Sequence, residues 1–328
     1  MSSEVAIIVP CYNVESFLQR ALDSVYAQTY TDFHIYAVDD GSTDSTTQVL
    51  TRTAHHCSFV TQPHAGPAAA RNRAIRMSNS AFVAFLDADD EWLPQKLEHQ
   101  INLLKQDPTL GLVCSFCSRG ERESEKRAAL AAAGIPRSGR MFRHLVGNCF
   151  VFTPTVVVRR RCLEQVGLFN ESLAVSEDFD LWLRIAARWK IAVIPEILAV
   201  TYTRPGSLSA SIPAEERLRN GVNALEHVQS TCQELSPAEG KALRAALAER
   251  IYFYGSFLLT NGARGPARSK LVSALKLCPT YWRAFAKLGL SFLPMRALGS
   301  VVGLKRKLTN GRLSRSGSQL AQRDASSI

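Results

Sequence analysis

Four short apolar runs, the first of them rich in β-branched residues and three closed by a polar cluster, constrain this chain most. Residues 5–9 end on Pro10-Cys11-Tyr12-Asn13. Residues 34–38 end on Asp39-Asp40-Gly41-Ser42, and 81–86 end on Asp87-Ala88-Asp89-Asp90, while 58–61 form a further run. Buried strands read this way. Between them, 15–28 places Phe17, Leu18, Ala21, Leu22 and Val25 on one helical face. Residues 43–53 fit a second helix. Gly66-Pro67 opens a third that runs to about 78, with Pro67 suited to a first helical turn. This alternation predicts an α/β fold with a mainly parallel sheet. Ligands of open α/β sheets bind outside the carboxyl ends of the strands. The three polar clusters, Pro10–Asn13 among them, therefore describe one pocket.

Further along, 112–117 and 155–158 read as strands, the latter followed by Arg159-Arg160-Arg161. Residues 120–140 form a charged, Ala-rich insertion expected as a mobile loop or an exposed helix. Ser176-Glu177-Asp178 opens a helix whose acids suit the positive end of its dipole. Leu181, Trp182, Ile185 and Trp189 make its apolar face. Residues 191–193 and 199–203 suggest two more extended segments. From about 213 strands disappear, and 215–233, 237–259, 266–277 and 281–292 look helical. Residues 267–286 hold a turn between two helices like a tetratricopeptide unit, but fewer than three repeats are visible, so no solenoid is expected. The expected organisation is an α/β domain over 1–212, a helical region over 213–295 and a basic tail over 296–328.

With 328 residues, 46% hydrophobic and 21% charged, the chain can bury a large core. Its formal net charge is +10. From Arg296 to Ile328 seven basic residues face one acid, Asp324, so the tail carries +6 of that excess. Such a tail is first of all solvated; an anionic membrane surface is the next partner it suits, and nucleic acid ranks last. The N-terminus lacks a charged segment followed by a long apolar one, and no run approaches the ~18 apolar residues of a membrane helix. A cytoplasmic chain, or one peripheral on the cytoplasmic membrane face, is expected. The eight cysteines are scattered, and Cys114 and Cys117 find no second pair or nearby His, so they read as small buried hydrophobes.

Asp87 and Asp89, two apart after a strand, suit a hard divalent cation such as Mg²⁺ or Mn²⁺. Asp90 adds a third acid, and three close carboxylates repel unless a cation is present. The plainer reading makes Asp87 a turn residue and Asp90 the cap of a helix containing Trp92 and Leu93. Asp39 and Asp40 could accept hydrogen bonds from a nucleobase or ribose, with Ser42 or Asp44 capping the next helix. Tyr12 could stack on a base or pack into the core. Arg71 could pair with a diphosphate or with one of the aspartates. His64 is as easily a loop residue as a ligand. Spacing alone makes Glu177 and Asp178 ordinary helix N-terminal acids.

Together these segments resemble the family 2 glycosyltransferases. The opening Val5-Ala-Ile-Ile-Val-Pro-Cys-Tyr-Asn13 is similar to theirs, as are 33–44 ending Asp39-Asp40-Gly41-Ser42-Thr43-Asp44 and the Gly66–Asn72 stretch with Arg71-Asn72. Phe85-Leu86-Asp87-Ala88-Asp89-Asp90 resembles their D-x-D motif. Val166-Gly167-Leu168-Phe169-Asn170, followed by Ser176 to Arg184, resembles their G-x-F-[DN] and E-D-x-D-L-W-x-R segments. The resemblance spans about 5–211 and implies the GT-A nucleotide-diphospho-sugar transferase fold.

It also implies roles. Pro10, Tyr12, Asn13, Asp39 and Asp40 would line the nucleoside, Asp87 the sugar or ribose, and Arg71 the donor. Asp89 would hold a divalent metal, Mn²⁺ or Mg²⁺. Asp178 would be the base, with Glu177 beside it near the acceptor. The implied reaction is inverting hexosyl transfer from a UDP-, GDP- or dTDP-sugar to a hydroxyl of a glycan or lipid-linked acceptor. Cell-surface polysaccharide or lipopolysaccharide assembly is the expected pathway. Two departures stand out. The Q-x-x-R-W segment of processive synthases is missing, which argues for single-sugar transfer. Gln62-Pro63-His64-Ala65-Gly66 replaces the usual Asn-x-Gly before the Ala-Arg-Asn run. A non-catalytic GT-A scaffold that binds nucleotide or a partner is the alternative. A sugar nucleotidyltransferase would carry a Gly-rich basic loop after the first strand, which Pro10-Cys11-Tyr12-Asn13 is not.

Overall fold

The computed structural model describes residues 3–53, 57–119, 136–202 and 211–293. Residues 120–135 of the expected 120–140 insertion and the basic tail lie outside them; the insertion's end, Ser138–Gly139, is a short strand rather than a loop or helix. The chain divides into two compact units, Met1–Arg250 and Ile251–Ile328. The first is thus longer than the 1–212 domain expected from sequence.

The first unit is built on one nine-stranded sheet. Its strands in chain order are β1 (Val5–Cys11), β2 (Phe33–Asp39), β3 (Cys57–Thr61), β4 (Phe82–Phe85), β5 (Glu91–Trp92), β6 (Leu110–Arg119), β7 (Ser138–Gly139), β8 (Val157–Arg159) and β9 (Lys190–Thr201). The spatial order is β3-β2-β1-β4-β8-β6-β9-β5, with β7 also on β9. The expectation of a mainly parallel sheet holds only for β3-β2-β1-β4 and for the β6–β9 pair. β8 runs antiparallel to both β4 and β6, and β5 and β7 run antiparallel to β9, so the sheet is mixed. Apolar runs report burial on both faces but not direction. Direction follows from where the chain enters: a 3₁₀ turn, Thr153–Thr155, packs against β4, β6 and β9 and feeds β8.

The helices of this unit are α1 (Leu18–Tyr26), α2 (Thr46–Thr53), α3 (Pro67–Arg76), α4 (Lys96–Gln106), α5 (Phe142–Gly147), α6 (Arg160–Val166), α7 (Glu177–Arg188) and α8 (Ala214–Thr231). α9 (Pro237–Thr260) follows, and the division between units falls inside it. α1 buries Leu18, Ala21, Leu22 and Val25, the face its spacing predicts. The second unit holds α10 (Arg264–Leu277) and α11 (Trp282–Leu290).

Three expectations fail instructively. Pro10 does not end β1; it sits inside it, paired in register with Val38. The Leu86 N–H donates to the Ile8 carbonyl, so residues 8 and 10 turn their polar groups toward β4, which pairs only as far as Ile8. Pro10 lacks the N–H that would continue this ladder, so the pairing with β4 stops at Ile8. Residues 191–193 and 199–203 are not two segments, because β9 runs unbroken through Pro195. The register shift between Ser115 and Phe116 lets Pro195 and Glu196 bulge past the ladder. Finally, Trp92 lies in β5 rather than in a helix capped by Asp90, and α4 begins only at Lys96.

Candidate active site

The loops after β1 and β2 are laced to each other. The Asn13 N–H donates to Ser42 Oγ at 3.0 Å, and the Thr43 N–H donates to Asn13 Oδ1 at 2.8 Å. The Val14 and Glu15 N–H groups donate to Thr46 Oγ1 and Asp44 Oδ2. Asn13 adopts φ +50° to do this, a conformation Asn tolerates better than most residues. Its carboxamide oxygen accepts from the Thr43 N–H and hydroxyl. Of the two proposed caps, Asp44 serves α2, accepting the Thr46 N–H at 3.0 Å.

Asp39 and Asp40 are each 2% exposed. Asp39 accepts the Ser42 N–H at 3.0 Å and the Thr47 hydroxyl. Asp40 accepts Gln62 Nε2 at 2.6 Å and the Ala65 and Gly66 N–H groups at 2.9 and 2.8 Å. Its Oδ2 also lies 2.9 Å from His64 Nδ1. This carboxylate therefore organises the 62–66 loop, the stretch that departs from the family pattern. Gly41 makes the approach feasible: φ is +77°, and a Cβ there would lie 2.9 Å from the His64 backbone nitrogen. His64 in turn stacks on Tyr12, with centroids 4.1 Å apart and planes 24° apart. Tyr12 is 41% exposed, so the core-packing alternative does not apply to it.

The turn after β4 is different. Asp87 and Asp89 are half-buried and Asp90 is buried. Asp90 accepts the Tyr202 N–H at 3.1 Å, instead of capping a helix. Burial, then the charges of Asp87 and Asp89, push its carboxyl up to about 8. Arg20 supports the turn from behind. Its Nη2 donates to the Asp89 carbonyl at 2.9 Å, its Nε pairs with Glu91 at 2.7 Å, and its guanidinium lies 4.0 Å from the Tyr202 ring centroid. Among the described residues no three His, Cys, Asp or Glu side chains form a metal cage. The donor set is all oxygen, and its charges repel one another, which fits a hard cation completed by phosphate and water rather than by protein alone.

Arg71, on α3, joins this turn to α7. Its Nη2 pairs with Asp87 at 2.7 Å and its Nη1 with Glu177 at 2.8 Å, both from a side chain 7% exposed. Beneath it, Phe85, Phe169 and Trp182 form an aromatic cluster with centroids 5.4–5.9 Å apart, and the Arg71 guanidinium lies 5.4 Å from the Phe169 centroid. Asn72 locks Phe169 from both sides, donating to its carbonyl and accepting its N–H. α7 begins after Ser176, held at φ +69°, a left-handed conformation in which a non-glycine residue is strained. Asp178 accepts its neighbour Phe179's N–H at 2.7 Å and the Thr153 hydroxyl at 3.1 Å. Burial raises the Asp178 carboxyl above its ordinary range while Arg71 pulls it back. Burial, then Asp178's charge, carries Glu177 to about 7 against the same Arg71 pull.

The structure thus brings Arg71, Asp87, Glu177 and Asp178 together, and it sets Tyr12, Asn13, Asp39 and Asp40 along the neighbouring strand ends. Sequence reasoning missed Arg20, Tyr202 and Thr153. Nothing in the spacing around Thr153 marks it, since its partner Asp178 is 25 residues away.

The model of the Glycosyl transferase family 2 matches residues 6–167. The Escherichia coli UDP-Glc:alpha-D-GlcNAc-diphosphoundecaprenol beta-1,3-glucosyltransferase WfgD is 32% identical over 192 residues, covering 58% of this chain and 72% of that protein. S. aureus TarS 1-349 in complex with UDP-GlcNAc superposes with a TM-score of 0.63 at 19% identity, over 84% of this chain and 81% of that one. Mannosyltransferase PcManGT from Pyrobaculum calidifontis, in complex with GDP-Man and Mn²⁺, gives 0.60 at 20% identity, over 93% and 81%. Both structures share the fold. The family match stops at residue 167, short of the acid pair that Arg71 ties to the D-x-D turn. With its α/β sheet, its motifs at the strand ends and these relatives, the chain belongs to glycosyltransferase family 2.

Proposed function

We propose that this glycosyltransferase moves a single hexose, with inversion, from a nucleoside-diphosphate sugar to a hydroxyl of a lipid-linked glycan during cell-surface polysaccharide assembly. The observation that carries the reading is Arg71, buried between Asp87 on the donor side and Glu177 on the acceptor side. It sets the D-x-D turn and the acid pair against each other, as direct transfer between two substrates requires. The names of relatives support the substrate classes: UDP-Glc with a diphosphoundecaprenol-linked acceptor for WfgD, UDP-GlcNAc for TarS, GDP-Man for PcManGT. UDP- and GDP-sugars are therefore the first donors to test, with dTDP-sugars after them. The catalytic domain is assigned to 1–212.

In this reading Tyr12 and Asp39 meet the nucleoside beside Pro10, while Asn13 and Asp40 act by holding the loops around it. Asp87 and Arg71 meet the donor sugar and diphosphate. Asp89 holds Mn²⁺ or Mg²⁺, which when bound neutralises charge on the leaving diphosphate. Asp178 takes the proton from the acceptor hydroxyl as that oxygen attacks the anomeric carbon. The bond from that carbon to the diphosphate breaks, and the nucleoside diphosphate leaves. Thr153 and the Phe179 N–H fix the Asp178 carboxylate, and its raised affinity for protons makes it a stronger base than a solvated aspartate. Glu177, bound to Arg71, keeps that guanidinium in place.

A donor panel with either metal tests this, scored by thermal shift and by release of nucleoside diphosphate. One donor should stabilise the protein. Asp178→Asn should keep that shift and lose about 10²–10⁴-fold in turnover. If no nucleotide sugar stabilises the folded protein with either metal, the donor site is misassigned and the non-catalytic scaffold becomes the better reading.

A further inference from the structure

A short helix that packs on its own protein normally turns its apolar side inward. In the second unit α11 does the reverse. The residues it buries are small, Ala284 and, at its end, Ser291, both 0% exposed. Trp282 is 73% exposed, Phe285 72%, Phe292 65% and Leu293 39%. At about 100° per residue, Trp282, Phe285, Ala286 and Gly289 share one side, and the turn that follows sets Phe292 and Leu293 beside them. This side is held in place by α10. Arg268 donates to Ser291 Oγ and to its carbonyl at 3.1 and 2.8 Å, and Arg264 donates to the Leu293 carbonyl at 2.6 Å. The Arg268 guanidinium also lies 4.0 Å from the Phe292 ring centroid.

The charge around this ridge has one sign. Residues 251–293 contain six basic side chains, Arg264, Arg268, Lys270, Lys276, Arg283 and Lys287, and no Asp or Glu. Arg283 stands beside Phe253, itself 42% exposed. We propose that the outward face of α11, edged by these cations, docks on an anionic lipid bilayer. Trp and Phe suit the boundary between headgroups and acyl chains, and flanking Lys and Arg suit anionic headgroups. A second copy of the chain fits less well, because self-association would oppose like charges. The helix has nine residues, and among the described residues none is long and apolar enough to cross a membrane, so the contact is one of lying on the surface. The sequence placed lipid contact on the 296–328 tail; this inference moves it to a folded hairpin and does not depend on the transferase reading.

The test uses the full chain with phosphatidylcholine vesicles, with and without phosphatidylglycerol, at about 0.1 M salt. Wild type should sediment with the phosphatidylglycerol vesicles and not with phosphatidylcholine alone. Of the four tryptophans, Trp92 and Trp182 are buried, so binding should shift the emission of Trp282 to the blue and Trp282→Ala should lose that shift. Trp282→Ala with Phe285→Ala should weaken partitioning about tenfold or more and leave the melting temperature and donor hydrolysis unchanged, since both side chains are exposed. Three results overturn the proposal. The double variant sediments like wild type while Lys305→Ala, Arg306→Ala and Lys307→Ala together abolish binding, which assigns the contact to the tail. Binding is equal with and without phosphatidylglycerol. Wild type ignores both vesicles and is a dimer that Trp282→Ala splits, which makes the face a contact between copies.

Discussion

Two acidic segments close neighbouring regions of the same sheet, Asp39-Asp40 at the end of β2 and Asp87 to Asp90 after β4, and they use their carboxylates differently. In the first, Asp40 is saturated from within, and Asp39 is held by one backbone N–H and one hydroxyl. Ser42, Thr47, Gln62, Ala65, Gly66 and His64 together surround these two side chains with donors. The second is set against itself. Arg71 serves Asp87 and one backbone N–H serves Asp90, yet Asp90's carboxyl is still driven up to about 8 by burial and its acidic neighbours. A carboxylate fed by two or three N–H groups is architecture, because its charge is already neutralised by fixed dipoles. A group of carboxylates that repel one another has the chemistry to take a hard cation, as the proposed function has it. The comparison teaches that an acid pair after a strand says nothing by itself about which of the two it is. The neighbouring loop decides.

Asp40→Ala should separate the two most sharply. It strands the Ala65 and Gly66 N–H groups and should cost about 3 kcal/mol or more, a fall of roughly 6–12 °C in melting temperature for a unit of this size. That loss should be the same with and without divalent metal. A metal-dependent loss would break the comparison by making Asp40 part of the ion site. Asp89→Ala should behave in the opposite way. The melting temperature in chelator should change by less than about 0.5 kcal/mol in equivalent terms. The stabilisation by Mn²⁺ plus donor should vanish, and turnover should fall at least about a hundredfold. A large metal-free destabilisation would mean that the second turn, too, is architecture.

The smallest effect concerns the bridge between the turn and α7. Arg71 holds the Glu177 and Asp178 carboxyls below where burial alone would set them. In the proposed reaction Asp178 must be ionised to accept a proton, so removing this cation raises the pH at which it becomes active. Arg71→Gln should move the rising limb of the kcat/KM profile to higher pH and recover more activity in alkaline than in neutral buffer. An unmoved limb, with activity lowered evenly at all pH values, would show that Arg71 acts on the donor alone.

Much of this was legible early because it is local. The inward face of α1, the strands β1 to β4 and the polar clusters beyond three of them follow from side-chain period and from turn residues within a few positions. The ordering of the five family blocks then identified the chain, and the later match over 6–167 agrees with it. The strand directions past β4 were not legible, since Val157–Arg159 is equally apolar whichever way it runs. Thr153, Arg20 and Tyr202 left no local signal either, and nothing in the segments of Asn13 and Asp40 shows that Thr43, Ala65 and Gly66 donate to them.

The sequence by itself determined the α/β class, the family and the places where acids gather. Those properties depend on neighbours along the chain, where residue identity fixes conformation within a turn or two. Only the tertiary structure decided which acids are spent on holding loops and which face one another across the turn. It set Arg71 between Asp87 and Glu177, 106 residues away from the latter, and turned the aromatic side of α11 outward. Hydrogen bonds and ion pairs act over about 3 Å, and which groups come that close is settled by packing the whole sheet.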